Sequence, residues 1–437
     1  MSTTATEDET TARHRPATTD LRGPLAGLIG RRRPGYSLPA PFYTDRAVFD
    51  HDLAAIFGEH WLFVGAEPEI AEPGDYVTVQ VGTSSVIVLR DDDGDVRALH
   101  NVCRHRGTRL LDDRRGSTGN IVCPYHQWTY GTDGSLLHAG QQPAGFDKSC
   151  FTIKQVAVRR IGGLIFICLA EQPPADVDEM AERITPYLLP HDLTRTRIAA
   201  QDEVIVQANW KLAMENNREC YHCEGSHPEL TCVFFPTYGY AVEDLPPRLL
   251  PAHARYLGAE AALERTCDER SIPYAAIEEL HGRPTGFRIQ REALDGGGES
   301  YTTDGTAAST KLLGDLDTAR LGRLSLHIQP NAWFHFLGDH AVVFSLLPLD
   351  VDRSVIRTTW LVHSDAVEGV DYDHDRLTDV WRKTNAQDAA LCQRAQLGVT
   401  DPAYQPGPYA PNEYQVDHFI RWYLERLEHN LGREADR

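Results

Sequence analysis

Two short stretches of the chain each pair a thiol with an imidazole. Asn101-Val102-Cys103-Arg104-His105-Arg106-Gly107 supplies a Cys-x-His, and Val122-Cys123-Pro124-Tyr125-His126 supplies a Cys-x-x-His, with residues 106 to 122 between the pairs. Thiolate is a soft donor and imidazole a borderline one, so this set suits zinc or an iron–sulfur centre. Zinc modules usually place two Cys in one knuckle and two His in the other, whereas here each loop offers one of each. In a diiron cluster of mixed ligation one iron takes both thiolates and the other both imidazoles, so two facing loops each give one ligand to each iron. Cys103, His105, Cys123 and His126 are therefore the candidate ligands of a [2Fe–2S] cluster. The bland alternative, two core cysteines beside surface histidines, needs the same coincidence twice.

A second constellation lies in Asn209–Pro228. Glu219 and His222 stand three residues apart, which on a helix places them on one face, and the spacing predicts a helix over Asn209–Cys223. Gly225 can end that helix and Pro228 prevents its resumption, so the chain can fold back and bring His227 to the metal held by His222. Two imidazoles and one carboxylate leave open positions on ferrous iron, as oxygen activation requires. The third ligand has to come from elsewhere. Leu377, Trp381, Thr384, Asp388, Leu391 and Ala395 follow steps of four and three, tracing one helical face. Asp388 thus sits on a core-facing stripe, where an unpaired carboxylate would cost several kcal/mol. Iron on His222, His227 and Asp388 would compensate it; an arginine salt bridge is the plain alternative. Cys220 and Cys223 form a Cys-x-x-Cys with no second pair to complete a zinc site, and are read as packing residues. Cys150, Cys168, Cys232 and Cys267 are read as buried apolar thiols.

The elements that must position these groups fall into two textures. An apolar pattern at Leu53, Ile56, Phe57 and Trp61 fits a short amphipathic helix, and Tyr76–Val81 and Ser85–Leu89 alternate as strands about the Gly82-Thr83-Ser84 turn. Ile161–Leu169 reads as one buried strand. From about residue 175, helical patterns (Asp176–Tyr187, Asp373–Gln396, Asn412–Leu431) alternate with strand-like runs (Leu324–Ile328, Ala341–Leu347, Val355–Val362). The expected fold is α+β, an all-β cluster domain plus a larger catalytic domain with an antiparallel sheet flanked by helices. The expected boundaries are 1–35 a disordered tail, 36–175 the cluster domain with its preceding helix, and 176–437 the catalytic domain. Leu245–Thr310 is not assigned.

The chain of 437 residues is long enough for two or three domains, and its net charge of −20 opposes nucleic acid and anionic membranes. No apolar run is long enough to cross a bilayer, and the N-terminus lacks a secretory signal. Nine scattered cysteines argue against a disulfide framework and for the cytoplasm. The chain has no Gly-rich nucleotide-binding motif, so NAD(P)H is expected to act only through a separate flavin- or ferredoxin-type reductase.

Together the two constellations resemble the alpha subunits of Rieske non-haem iron oxygenases, most closely the glycine betaine monooxygenases (demethylases) and related quaternary-ammonium oxygenases. The resemblance runs from Tyr36-Ser37-Leu38-Pro39-Ala40-Pro41-Phe42-Tyr43 to the C-terminal helix. It is densest in Asn101–Gly107, Cys123–Tyr130, Asn209–Leu230, Trp360–Tyr372 and Tyr404–Tyr409. Gln127, where many ring-hydroxylating members carry Gly, and Glu219, where they carry Asp, are similar to the betaine group. The resemblance implies a homotrimer in which the Rieske cluster of one subunit feeds the Fe(II) of its neighbour. Glu219 would bridge the two centres in catalysis by bonding a cluster histidine across the interface and an iron-ligating histidine. Thr231–Pro247 and Gly296–Gly298 depart from the betaine pattern.

The substrate that this resemblance implies is a small cation used together with O2. A trimethylammonium group donates no hydrogen bonds and is best held by aromatic faces, at about 0.5–2 kcal/mol per contact. Phe234, Phe235, Tyr238, Tyr240, Trp333, Phe334 and Phe336 are candidates, ordinary core packing being the alternative for each; no residue is singled out for a carboxylate. Hydroxylation of an N-methyl carbon would release formaldehyde. Three other readings stay open: the same enzyme class on an aromatic or uncharged substrate, a Rieske electron carrier without oxygenase activity, and a zinc-bound scaffold.

Overall fold

A computed structural model describes residues 22–435. The first ten strands are β1 (Leu62–Ala66), β2 (Asp75–Val81), β3 (Ser84–Arg90), β4 (Val96–His100), β5 (Arg115–Ser117), β6 (Ile121–Val122), β7 (Thr129–Tyr130), β8 (Leu136–His138), β9 (Gln155–Ile161) and β10 (Leu164–Cys168). Seven of them form an antiparallel sheet in the order β1-β10-β9-β4-β3-β2-β5, and β6-β7-β8 form a small sheet of their own. The run expected as one strand from Ile161 to Leu169 is a hairpin instead. Gly162 and Gly163 both adopt positive φ, which only glycine does freely, so Ile161 ends β9 and Leu164 begins β10.

The second sheet is built from β11 (Thr196–Val206), β12 (Ile277–Glu279), β13 (Phe287–Glu292), β14 (Arg323–Ile328), β15 (Ala332–Phe336), β16 (His340–Asp350) and β17 (Arg353–His363), in the order β11-β17-β16-β15-β14-β13-β12. All its pairings are antiparallel. The β15 strand is buried along its whole length, and its two-residue period sends side chains to two different layers. Ala332, Phe334 and Phe336 join a core shared with Trp61, Phe63 and Phe166 of the first sheet. Trp333 faces the helices. Asn331 ties the two sheets together: its side chain donates to the Phe63 carbonyl and accepts from the Phe63 N–H, each at 3.0 Å.

The helices are α1 (Arg22–Gly30), α2 (Pro41–Thr44), α3 (Arg46–Asp52), α4 (Val177–Leu188), α5 (Trp210–Asn216), α6 (Cys223–Ser226), α7 (Leu250–Arg270), α8 (His374–Val399) and α9 (Tyr414–Ala435). Residues 1–21 of the expected tail lie outside the described residues. Residues 22–35 do not continue it: they contain α1, whose Leu25 and Leu28 are buried. The helix expected from Asp50 to Trp61 begins earlier, with α3 over Arg46–Asp52 followed by a helical turn at Leu53–Phe57, and α3 reaches the other half of the molecule through its last residue. Asp52 at its end is fully buried and accepts hydrogen bonds from Trp210 Nε1 (3.0 Å), Tyr423 Oη (2.6 Å) and the Lys211 ammonium, groups on α5 and α9. The unassigned stretch from Leu245 to Thr310 holds α7, β12 and β13. No helix among the described residues is long and apolar enough to cross a membrane.

Candidate functional site

The cluster loops are near-copies of each other. In the first, the Cys103 N–H donates to the Thr108 carbonyl (2.8 Å) and the Gly107 N–H returns to the Cys103 carbonyl (3.0 Å). In the second, Cys123 N–H donates to Trp128 (2.8 Å) and Gln127 N–H returns to Cys123 (3.0 Å). Each loop turns through a residue of positive φ four positions after its cysteine, +75° at Gly107 and +60° at Gln127. That backbone requirement is why glycine suits this position, and Gln127 bears the strain that Gly107 avoids. Both thiols are buried and adjacent, and burial with the nearby Cys103 thiol raises Cys123 above the usual thiol range. The imidazoles lie on the outer side: His105 and His126 are edge-to-face at 4.7 Å, and His105 stacks on Trp128 at 4.8 Å. Tyr130 Oη lies 3.2 Å from Cys103 Sγ, where it can hydrogen-bond a cluster thiolate. Two inner sulfurs and two outer rings are the donor arrangement that a [2Fe–2S] cluster of mixed ligation needs.

The second site forms where α8 passes the segment after α5. Helix α5 stops at Asn216 rather than reaching Cys223, because the chain turns at Asn217–Tyr221. Glu219 and His222 therefore meet through a turn and not along a helix face. The Glu219 carboxylate accepts from the Tyr221 and His222 N–H groups and is bonded to His222 Nδ1. The short α6 then returns the chain so that His227 faces His222 edge-to-face, with ring centroids 5.0 Å apart. The Nε2 atoms of His222 and His227 lie 3.2 Å and 3.0 Å from the same oxygen, Asp388 Oδ1. His227 Nδ1 is bonded to Gln387 Oε1 at 2.8 Å, and Gln387 Nε2 donates to Glu229 at 3.0 Å.

Each ring thus has its Nδ1 oriented by an acceptor and its Nε2 aimed at a common point, which fixes the tautomer that binds metal through Nε2. His227 Nε2 is buried without a well-aligned hydrogen-bond partner, as expected of a lone pair meant for a metal. Two imidazoles and one carboxylate converging in this way fit a mononuclear iron with open positions. The arginine alternative for Asp388 does not occur: its ion-pair partners among the described residues are these two histidines. In the metal-free chain, burial acts to lower His222, but hydrogen bonds with Asp388 and Glu219 outweigh it and raise the ring to about 10. Burial acts to raise Asp388, and the two histidines hold it below the usual carboxylate range.

The cysteine expectations need three corrections. Cys220 and Cys223 do not merely fill space; they are bonded to each other as a disulfide, so the Cys223 sulfur near both histidines is not a free ligand. Cys150 and Cys232, expected to be buried, are exposed, while Cys168 and Cys267 are buried as read. On α8 the buried stripe leaves the expected line after Asp388. Cys392 and Gln396 are buried in place of Ala395, which is exposed.

The candidate iron ligands His222, His227 and Asp388 line a cleft of about 120 Å3 that is open to solvent. Of the seven aromatic candidates only Phe234 and Tyr238 line it. Phe235 and Tyr240 line a neighbouring depression. Trp333 is buried against Phe344 on the helix side of the sheet, and Phe334 and Phe336 are in the interdomain core. Strand alternation on β15 excludes the last two from any pocket on the helix side. Trp381 is the cleft aromatic that the sequence reading used only as a stripe residue. It stacks on His335 at 4.8 Å and stands two helical turns before Asp388 on the same face. The signal was present, since Trp381 and Asp388 share a heptad position.

Two antiparallel sheets, one bearing paired Cys/His loops and the other a two-histidine, one-carboxylate site, define a Rieske-type oxygenase. The Rieske [2Fe-2S] domain model matches residues 60–157, and that of the ring hydroxylating alpha subunit (catalytic domain) matches residues 192–429. The chain is 42% identical over 428 residues to the glycine betaine monooxygenase oxygenase subunit of Chromohalobacter salexigens, covering 96% of this chain and 94% of that one. It is 43% identical over 417 residues to the protein of the same name from Pseudomonas aeruginosa, covering 95% and 94%. Among solved structures it shares its fold with the quaternary ammonium Rieske monooxygenase CntA, at TM-score 0.66 and 21% identity, covering 91% of this chain and 97% of that one. The chain belongs to the alpha subunits of the Rieske non-haem iron oxygenases, whose cofactors are a [2Fe–2S] cluster and a mononuclear iron.

Proposed function

We propose that this chain is the terminal oxygenase of a system that removes an N-methyl group from a small quaternary ammonium carboxylate such as glycine betaine. The observation that carries the reading is a cleft that joins the His222–His227–Asp388 site to the face of Trp381, supported by relatives named as glycine betaine monooxygenase subunits over nearly the whole chain. Cys103, His105, Cys123 and His126 would hold the cluster, and His222, His227 and Asp388 the iron. Together these groups supply electron delivery and O2 activation, with electrons from NAD(P)H arriving through a separate reductase. The protein's own residues do the positioning. Glu219 and Gln387 fix the two imidazoles, and Trp381 is the aromatic residue of the cleft lining best placed to meet a trimethylammonium group, since Arg323 already lies over Phe234 and Tyr238. Hydroxylation of one methyl gives a carbinolamine, whose C–N bond breaks to yield formaldehyde and the demethylated amine.

We further infer a cytoplasmic homotrimer with electron transfer between subunits, in which Glu219 bridges to the neighbour's cluster. The exposure of His105, His126 and the apolar Val102, Val122 and Tyr125 at the cluster tip supports this, because such a patch suits burial against a second surface. A solved structure of a quaternary ammonium Rieske monooxygenase is described in terms of inter-subunit electron transfer.

Reductase-coupled turnover with glycine betaine should consume O2 and release formaldehyde in equal amounts, with no product from an aromatic hydrocarbon panel. The opposite pattern would establish the aromatic-substrate reading instead.

A further inference from the structure

Three arginines line the cleft, and their partners differ. Arg323 is bonded to Glu292 at 2.7 Å and lies over Phe234 and Tyr238 at 4.1 Å and 4.6 Å from the ring centroids. Its cation therefore already occupies one face of both rings, and Trp381, 6% exposed and with one face stacked on His335, is the cleft aromatic over which no cation lies among the described residues. Arg288 is bonded to Glu278 at 3.2 Å. Arg218 has no such partner. It is 97% buried by its 3% relative exposure, and its guanidinium reaches only neutral amide oxygens, Asn217 Oδ1 at 2.5 Å and Gln329 Oε1 at 3.2 Å. Its Nε is buried without any hydrogen-bond partner. Desolvation lowers it to about 9, so it remains a cation at neutral pH. His327, which also lines the cleft, is held neutral, first by burial and then by the charge of Arg218. The adjacent Glu219 carboxylate is turned the other way, onto His222 and the Tyr221 N–H.

A buried guanidinium costs several kcal/mol unless an anion compensates it, and a planar fork of N–H donors is suited to a carboxylate. The cleft lining thus brings together an unpaired guanidinium, Arg218, the Asp388 carboxylate and Trp381. We propose that Arg218 is the specificity residue that binds the carboxylate of a zwitterionic quaternary ammonium substrate, with its ammonium end directed toward Trp381 and the iron site. This inference rests on the proposed function and narrows it, since trimethylammonium compounds without a carboxylate become poor ligands.

Two measurements test it. Loaded wild-type protein with reductase is compared with Arg218→Gln and Arg218→Lys, using glycine betaine and choline, while iron content and the visible cluster spectrum monitor folding. Arg218→Gln should raise KM for glycine betaine at least tenfold with a smaller change in kcat, leave choline within twofold, and be partly rescued by Arg218→Lys. Independently of any variant, calorimetric titration of the wild-type protein should give a Kd for choline at least tenfold weaker than for glycine betaine. Equal affinities for the two, or a betaine KM unchanged in a folded Arg218→Gln variant, overturn the assignment of Arg218 while leaving the proposed function standing. If the wild type instead releases formaldehyde from no quaternary amine, the proposed function itself fails.

Discussion

At the scale of single residues, protons stand in for the metal. In the metal-free chain the raised His222 and His227 and the lowered Asp388 describe a carboxylate that stabilises protons on the imidazoles around it. A divalent ion needs neutral imidazoles, so its binding must displace those protons. Titrating ferrous iron into the metal-free protein at pH 7 in buffers of different ionisation enthalpy should therefore show proton release on binding, with His222 as its main source. The same groups set a pH dependence. His222 has a folded-state pKa of about 10, above its ordinary value of 6.5. Its contribution to metal-free stability is full below 6.5 and fades as the pH climbs toward 10. Asp388 is lowered, so its contribution is present above the ordinary carboxylate value and is lost as pH falls through the folded one. The Tm of the metal-free protein should fall between pH 7 and 10, while the iron-loaded protein should hold its Tm across that range. A metal-free Tm that rises with pH would contradict this account of the site.

At the scale of elements, the iron site depends on the seating of α5 and α8, and α5 is anchored from outside the catalytic sheet. Asp52 at the end of α3 joins Trp210 and Lys211 at the start of α5 to Tyr423 on α9, all of them buried. Asp52→Ala leaves the Lys211 ammonium buried and unpaired, and removal of one partner of a buried ion pair costs about 3–5 kcal/mol. Denaturant unfolding should register that loss, together with reduced iron occupancy if the N-terminal helices position α5. A double variant, Asp52→Asn with Lys211→Met, should recover much of the stability. Asn331 plays the corresponding part between the two sheets. Its paired bonds with the Phe63 backbone close a seam otherwise made of apolar contacts.

At the scale of the whole molecule, the two centres make separable demands. A Cys103→Ser variant should lose the visible cluster spectrum and keep the mononuclear iron site, and Asp388→Ala should do the reverse. Neither homomeric variant should turn over. If the cluster of one subunit serves the iron of the next, co-refolded mixtures of the two should regain activity, because some interfaces then pair an intact cluster with an intact iron. Activity that stays at background in such mixtures, once mixed oligomers are shown to have formed, would indicate that both centres work within one chain. Sedimentation of the loaded protein gives the assembly size directly.

The donor sets of both candidate sites were legible in the chain's residue types and spacing. Donor types and spacing at Cys103, His105, Cys123, His126, His222 and His227 are local properties, and the α8 periodicity placed Asp388 on an inward face. The paired strands β2 and β3 were legible for the same reason, since alternation is written residue by residue. Tertiary structure decided what depends on partners distant in the chain. Trp333 and Phe336 look as suitable for a cage as Phe234, yet only sheet packing shows which face of β15 meets the cleft. The early end of α5 at Asn216 also followed from context, because Glu219 is better satisfied capping its own turn and orienting His222 than continuing a helix. The proposal for Arg218 could be made only once the fold showed its guanidinium buried against neutral amides, with no ion-pair partner among the described residues. Charge compensation is set by proximity in space, and a single sequence does not record it.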